Sequence, residues 1–130
     1  MFTIEQIQTA HARVKSGADF PKFIQDIAQM GVINYETFVN DGHTIFKGND
    51  KGTQTSAAKY APLVIASISD PAQFQRDLKE HQQGKTNYSD FCEISAKLGV
   101  EKWIVDIKKL TCTYYDISGN SILTEIIPMP

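Results

Sequence analysis

Phe91–Val105 reads FCEISAKLGVEKWIV, and the fold turns on how this stretch is read. Phe91, Ile94 and Leu98 recur at helical spacing. Gly99 then ends the helix, because glycine takes the left-handed geometry of a C-terminal cap without steric cost. The chain passes directly into a strand, Glu101–Ile107, in which Trp103, Val105 and Ile107 alternate toward one face and Ile104 and Asp106 toward the other. An echo lies 68 residues upstream in Phe23–Tyr35, FIQDIAQMGVINY. Phe23/Phe91, Ala28/Ala96, Gly31/Gly99 and Val32/Val100 are identical in register, four matches in thirteen where average residue usage gives roughly one. The stretch and its echo imply one domain, residues 1–130, built from two similar halves at about 3–66 and 70–127.

Working outward, Thr3 and Gln6 form a capping box ahead of a first helix. Ile4, Ile7, Ala10, His11 and Val14 share its apolar face, and Ser16-Gly17 is the expected stop. A second helix starts at Pro21, since a first turn has no amide partner to lose. Gly31 ends it before a strand at Val32–Val39. Asn40-Asp41-Gly42 is a hairpin turn, so His43–Lys47 returns antiparallel. Thr53–Tyr60 reads as a loop with at most one short strand, and Leu63–Ala66 as another strand. Asp70-Pro71 opens a third helix that Gly84 terminates, and Asn87 caps the fourth. Thr111–Asp116 and Ser121–Ile127 complete the strands. Each half thus runs helix, helix, strand, hairpin, strand. The expected fold is α+β, four helices packed on an antiparallel sheet of about five or six strands.

Composition narrows the function. A net charge of −2 over 130 residues gives no basic footprint for a phosphate backbone, so nucleic acid is not an expected partner. No apolar run reaches spanning length, and the N-terminus lacks a basic segment followed by an apolar one. The two cysteines, Cys92 and Cys112, are too few for a disulfide framework, which points to a reduced, cytoplasmic setting.

The strings SGADFPKFIQDIAQMGV, VNDGHTIFKG, SAAKY, LKEHQQGKTNYSDFC and GVEKWIVDIKKLTCTYYDISGN together resemble the YbcV-like family of small bacterial proteins of unknown function. Some of its members carry the label "phage envelope protein". The resemblance covers nearly the whole chain. It implies no established activity, ligand or catalytic residue, and it admits an accessory role tied to phage or prophage genes.

Chemistry-bearing residues are sparse. Gly84-Lys85-Thr86 has the spelling that ends a P-loop, but Lys79 stands where the earlier glycine belongs and a helix precedes it, so there is no phosphate cradle. His11, His43 and His81 have no local metal-ligand spacing, and no metal or cofactor is expected. Cys92 aligns with Ile24 of the echo and reads as a small core residue. A small enzyme would have to assemble His43 or His81 with Asp106 and Cys112 through the fold. The aromatics are a richer set. Tyr35, Phe38, Phe46, Trp103, Tyr114 and Tyr115 all fall on strands, and a face of the sheet left uncovered would make of them a ligand cleft or a dimer interface. Tyr35, Phe46, Trp103, Tyr114 and Tyr115 are therefore the binding candidates. The leading expectation is a non-enzymatic binding or interaction protein, with a homodimer, another protein or a small molecule as the partner.

Overall fold

A computed structural model describes residues 2–15 and 19–128. The elements run α1 (Ile4–His11), α2 (Phe20–Gln29), β1 (Val32–Phe38), β2 (Thr44–Gly48), β3 (Thr53–Thr55), α3 (Pro71–Gln82), α4 (Tyr88–Lys97), β4 (Lys102–Asp106), β5 (Thr111–Tyr115) and β6 (Ser121–Ile126). The six strands form one antiparallel sheet in the order β3-β2-β1-β4-β5-β6. Among the described residues the fold is α+β, four helices on a six-stranded antiparallel sheet, as the periodicities indicate.

The local chemistry explains the helix ends. The Thr3 hydroxyl accepts from the Gln6 amide at 3.2 Å while the Gln6 side chain accepts from the Thr3 amide at 2.9 Å, closing the capping box. Asp70 and Asn87 cap α3 and α4 by accepting from the amides of Gln73 and Asp90. α1 stops at His11, earlier than its apolar stripe suggests, and Val14 still packs partly buried against the core. The expected Ser16-Gly17 stop lies outside the described residues. Gly99 holds a φ of +83°, and a Cβ there would stand 2.6 Å from Ser69 Cα, so both the turn and the close approach require glycine.

Leu63–Ala66 is not a strand. The segment runs as irregular chain, and its neighbourhood finds partners outside any ladder. Leu63 N–H donates to Asn40 O, Ala66 N–H to Ala96 O, and Asp70 N–H to Leu98 O. The last two are carbonyls at the C-terminal end of α4, beyond the reach of regular i+4 helical bonds; Ala96 O also takes the Gly99 amide at 3.2 Å. Apolar composition suggested a strand, but the backbone amides are satisfied by the Asn40 carbonyl and that helix end, both remote in sequence.

Alternation along the strands separates two faces. Val32, Tyr35, Thr37, Phe46, Trp103, Val105, Cys112 and Tyr114 are buried on one. They join a single core with Ile7 and Ala10 of α1, Phe23, Ile24 and Ile27 of α2, Phe74 and Leu78 of α3, and Phe91, Cys92 and Ala96 of α4. All four helices therefore lie on the same side of the sheet. The alternate residues, among them Glu36, Phe38, Ile45, Lys102, Ile104, Asp106, Thr113 and Tyr115, form an outer face that no helix covers.

Candidate functional site

The two faces sort the aromatic candidates. Tyr35, Phe46, Trp103 and Tyr114 all point under the helices. Tyr35 and Phe46 are register partners with ring centroids 5.3 Å apart. Trp103 packs between Phe91 at 5.9 Å and Tyr114 at 5.9 Å, and Tyr114 meets Phe74 edge to face at 5.0 Å. The Tyr114 hydroxyl finds Glu125 at 3.2 Å, the polar partner a buried phenol needs. These four rings serve as core. Tyr115 alone of the five candidates reaches the outer face.

There Tyr115 joins a patch with Phe38. Lys102 Nζ lies 5.7 Å from the Phe38 ring centroid and 5.9 Å from that of Tyr115, and it pairs with the Glu36 carboxylate. The His43 ring stacks on Phe38, 4.5 Å between centroids and nearly parallel to it. Asp41 fixes that histidine. Its Oδ1 accepts from both the backbone amide and Nδ1 of His43, and these bonds, the backbone one foremost, hold the Asp41 carboxyl below its ordinary range.

His43, His81, Asp106 and Cys112 are not brought together. Asp106 is on the outer face, where its carboxylate caps the following turn by accepting from the Lys109 amide at 3.0 Å. Cys112 is buried on the opposite face, and burial pushes its thiol up to about 12. His43 lies beside Phe38, whose register partner is Lys102, while Asp106 is four residues further along β4. That separation is about 13 Å along an extended strand. His81 belongs to the end of α3, stacked on Phe91 at 4.3 Å with Nδ1 3.0 Å from the Thr86 hydroxyl, and burial lowers its pKa. The Thr86 of the P-loop-like spelling thus serves this histidine. Among the described residues, no group of three or more His, Cys, Asp or Glu side chains is placed to hold a metal ion.

Two further features had little sequence signal. One is the free edge of β6. The other is a cleft of about 260 Å³ between α1 and the segment following β3, walled by Ile4, Ile7, Phe23 and Phe46. His11, Ser56 and Lys59 supply its polar side. Thr53–Tyr60 is the stretch whose composition specifies structure least, yet it is well anchored. Ser56 N–H donates to Thr44 O, Lys59 N–H to Asp41 O, and the Tyr60 hydroxyl to Val39 O at 2.6 Å. A tyrosine closing a polar, turn-forming stretch was the one hint that this loop docks against the sheet.

No helix among the described residues is long and apolar enough to cross a membrane. No curated protein matches the sequence. The profile of the family described as "Protein of unknown function (DUF1398)" matches residues 8–126, nearly the whole chain, and the protein belongs to that family.

Proposed function

We propose that this protein acts by binding rather than by catalysis, and that its partner is a second copy docked along β6. Within the family we place it with the YbcV-like group, and docking between copies needs no envelope-spanning element. The observation that carries the reading is the edge itself. β6 is six residues, SILTEI, with neither lysine nor proline to discourage pairing. Its one charged residue, Glu125, is engaged toward the covered face by the Gln82 amide and the Tyr114 hydroxyl. Ile126, 82 % exposed, is left on the outer side. The other edge, β3, has only three residues and offers much less backbone to a partner.

Antiparallel pairing of two β6 strands would extend the sheet across a two-fold axis, the usual closed symmetry of a dimer. The irregular register between Tyr114 and Tyr115 confines straight pairing to Leu123–Ile126. Tyr115 and Thr113, next to that edge on the outer face, would widen the contact. The two-halves reading suits such a scaffold. Shifting Glu36 by the 68-residue offset of the echo gives Ile104, and these two residues are register partners in the central β1–β4 pair. Two unpaired thiols, both buried, fit a cytoplasmic setting.

Light scattering across a concentration series tests the proposal. The native chain should associate to twice its 14.5 kDa mass. Ile126→Lys and Thr124→Lys, both outward-facing on the edge, should give folded monomers. A native chain that stays monomeric at every concentration, or a dimer indifferent to both substitutions, would sink the reading.

A further inference from the structure

We propose that the cleft between α1 and Lys59 is a binding site for a small monocarboxylate with an apolar body, a role independent of the β6 edge. Its walls are aliphatic and aromatic, from Ile4, Ile7, Phe23 and Phe46, and its polar groups gather on one side. That is the usual division of a small-molecule site, an apolar body with a few placed polar contacts. In a chain of net charge −2, none of the residues lining this cleft is acidic, while Lys59 and His11 both are basic. Burial, and then the neighbouring Lys59, lowers the His11 pKa, so the imidazole stays neutral near pH 7 and the Lys59 ammonium alone supplies the positive charge. The cleft therefore favours an anion.

Ser56 completes the donor set. Its backbone amide is tied to Thr44 O at 2.9 Å, and its hydroxyl oxygen accepts from the Thr44 amide at 2.9 Å. The hydroxyl hydrogen remains to be donated, and the oxygen that carries it is fixed. Lys59 is anchored at its backbone but has a flexible four-carbon arm. Its ammonium lies over the Tyr88 ring, 5.3 Å from the centroid. A charge-assisted hydrogen bond to a carboxylate is stronger than this exposed cation–π contact, so an arriving anion draws the ammonium into the cleft. Two donors and no arginine suit a carboxylate better than a phosphate, which takes a bidentate fork or a nest of backbone amides. The volume of about 260 Å³ suits a chain of roughly eight carbons or a single ring, below the usual range for larger ligands.

The test titrates sodium octanoate into the isotope-labelled full chain and follows backbone amide shifts, with octanol and octyl phosphate as comparisons. Octanoate should move Ile7, Phe46, Ser56 and Lys59, saturating at roughly millimolar concentration as expected for so few atoms. Octanol should bind about tenfold more weakly. Lys59→Met, at an exposed position outside the core, should weaken octanoate about tenfold and leave octanol unchanged. Equal binding of octanol and octanoate, or indifference to Lys59→Met, would overturn the charge recognition. Tighter binding of octyl phosphate would overturn the carboxylate assignment. Shifts confined to other surfaces, or none, would overturn the site.

Discussion

The covered and outer faces of this sheet are built from the same strands, yet their aromatic residues do different work. On the covered face, Trp103 and Tyr114 are 8 % and 6 % exposed and lie in a continuous run of rings with Phe74 and Phe91. On the outer face, Phe38 and Tyr115 flank an ion-paired lysine and are only partly buried. One step along a strand exchanges the two roles, since side chains alternate with period two. Residue type alone therefore says little about which aromatic holds the fold and which can meet a partner.

The contrast breaks first at Trp103. Trp103→Ala should cost about 3–5 kcal/mol, a large share of the roughly 5–15 kcal/mol that holds a domain together. Tyr115→Ala should stay within about 1 kcal/mol in stability while weakening dimer formation. Urea unfolding and light scattering on both variants would decide it, with Trp103→Phe as a folded companion if the alanine variant does not accumulate. Equal stability losses at the two positions would erase the distinction between the faces. Trp103, a binding candidate by residue type, weighs on stability first, because its ring packs against Phe91 under α4.

A pair of glycines sharpens the comparison at smaller scale. Gly99 and Gly119 have nearly the same φ, +83° and +86°, but a Cβ at Gly99 meets the Ser69 backbone and one at Gly119 meets nothing within 4 Å. Gly99→Ala should cost about 2–4 kcal/mol, from left-handed strain plus overpacking. Gly119→Ala should cost about 1 kcal/mol, from the strain alone. Thermal unfolding of the two variants separates conformational strain from close contact. The thiols add a kinetic check on the covered face. Cys112, pushed up to about 12, and Cys92, raised by burial, should react with a disulfide reagent only as fast as the chain opens. Rapid labelling of the native protein would mean that this face is less closed than described.

The architecture was legible because it rests on local rules. Capping residues at Thr3, Asp70 and Asn87, glycines at 31 and 99, and alternation at Trp103–Ile107 each act within a few residues of chain. Leu63–Ala66 has strand-like composition but forms no strand, because its amides go to Asn40, twenty-three residues back, and to Ala96, thirty residues on. No window around the segment holds that information. The site was less legible for the same reason. Tyr35, Phe46 and Trp103 are alike with Phe38 and Tyr115 in composition, and only the pairing of β1 with β4 and the placement of helices say which side each occupies. Lys59 and Ser56 carry no motif. They gain meaning from a loop that lines the cleft opposite α1, which depends on anchors at Asp41 and Thr44 far from any local pattern.

The smallest expected effect is in the pH dependence of stability, and it tests how well α3 seals the covered face. Burial lowers the pKa of His81 from its ordinary 6.5. A histidine held neutral in the fold takes up its proton more readily when unfolded. Between the two pKa values the unfolded state binds more protons, so stability rises with pH there. This contribution should be fully present above about pH 6.5 and lost as the pH falls from that value toward the folded-state pKa. His11, lowered by burial and by Lys59, acts in the same direction. Asp41, held below its ordinary 3.8, loses its contribution only in more acidic solution and so separates from the histidines. His81→Gln can keep a donor toward Thr86 but removes the titration, so its stability curve should be flatter than the native one as the pH falls below about 6.5. Parallel curves for the two proteins would place His81 in water, and with it the end of α3 that stacks on Phe91.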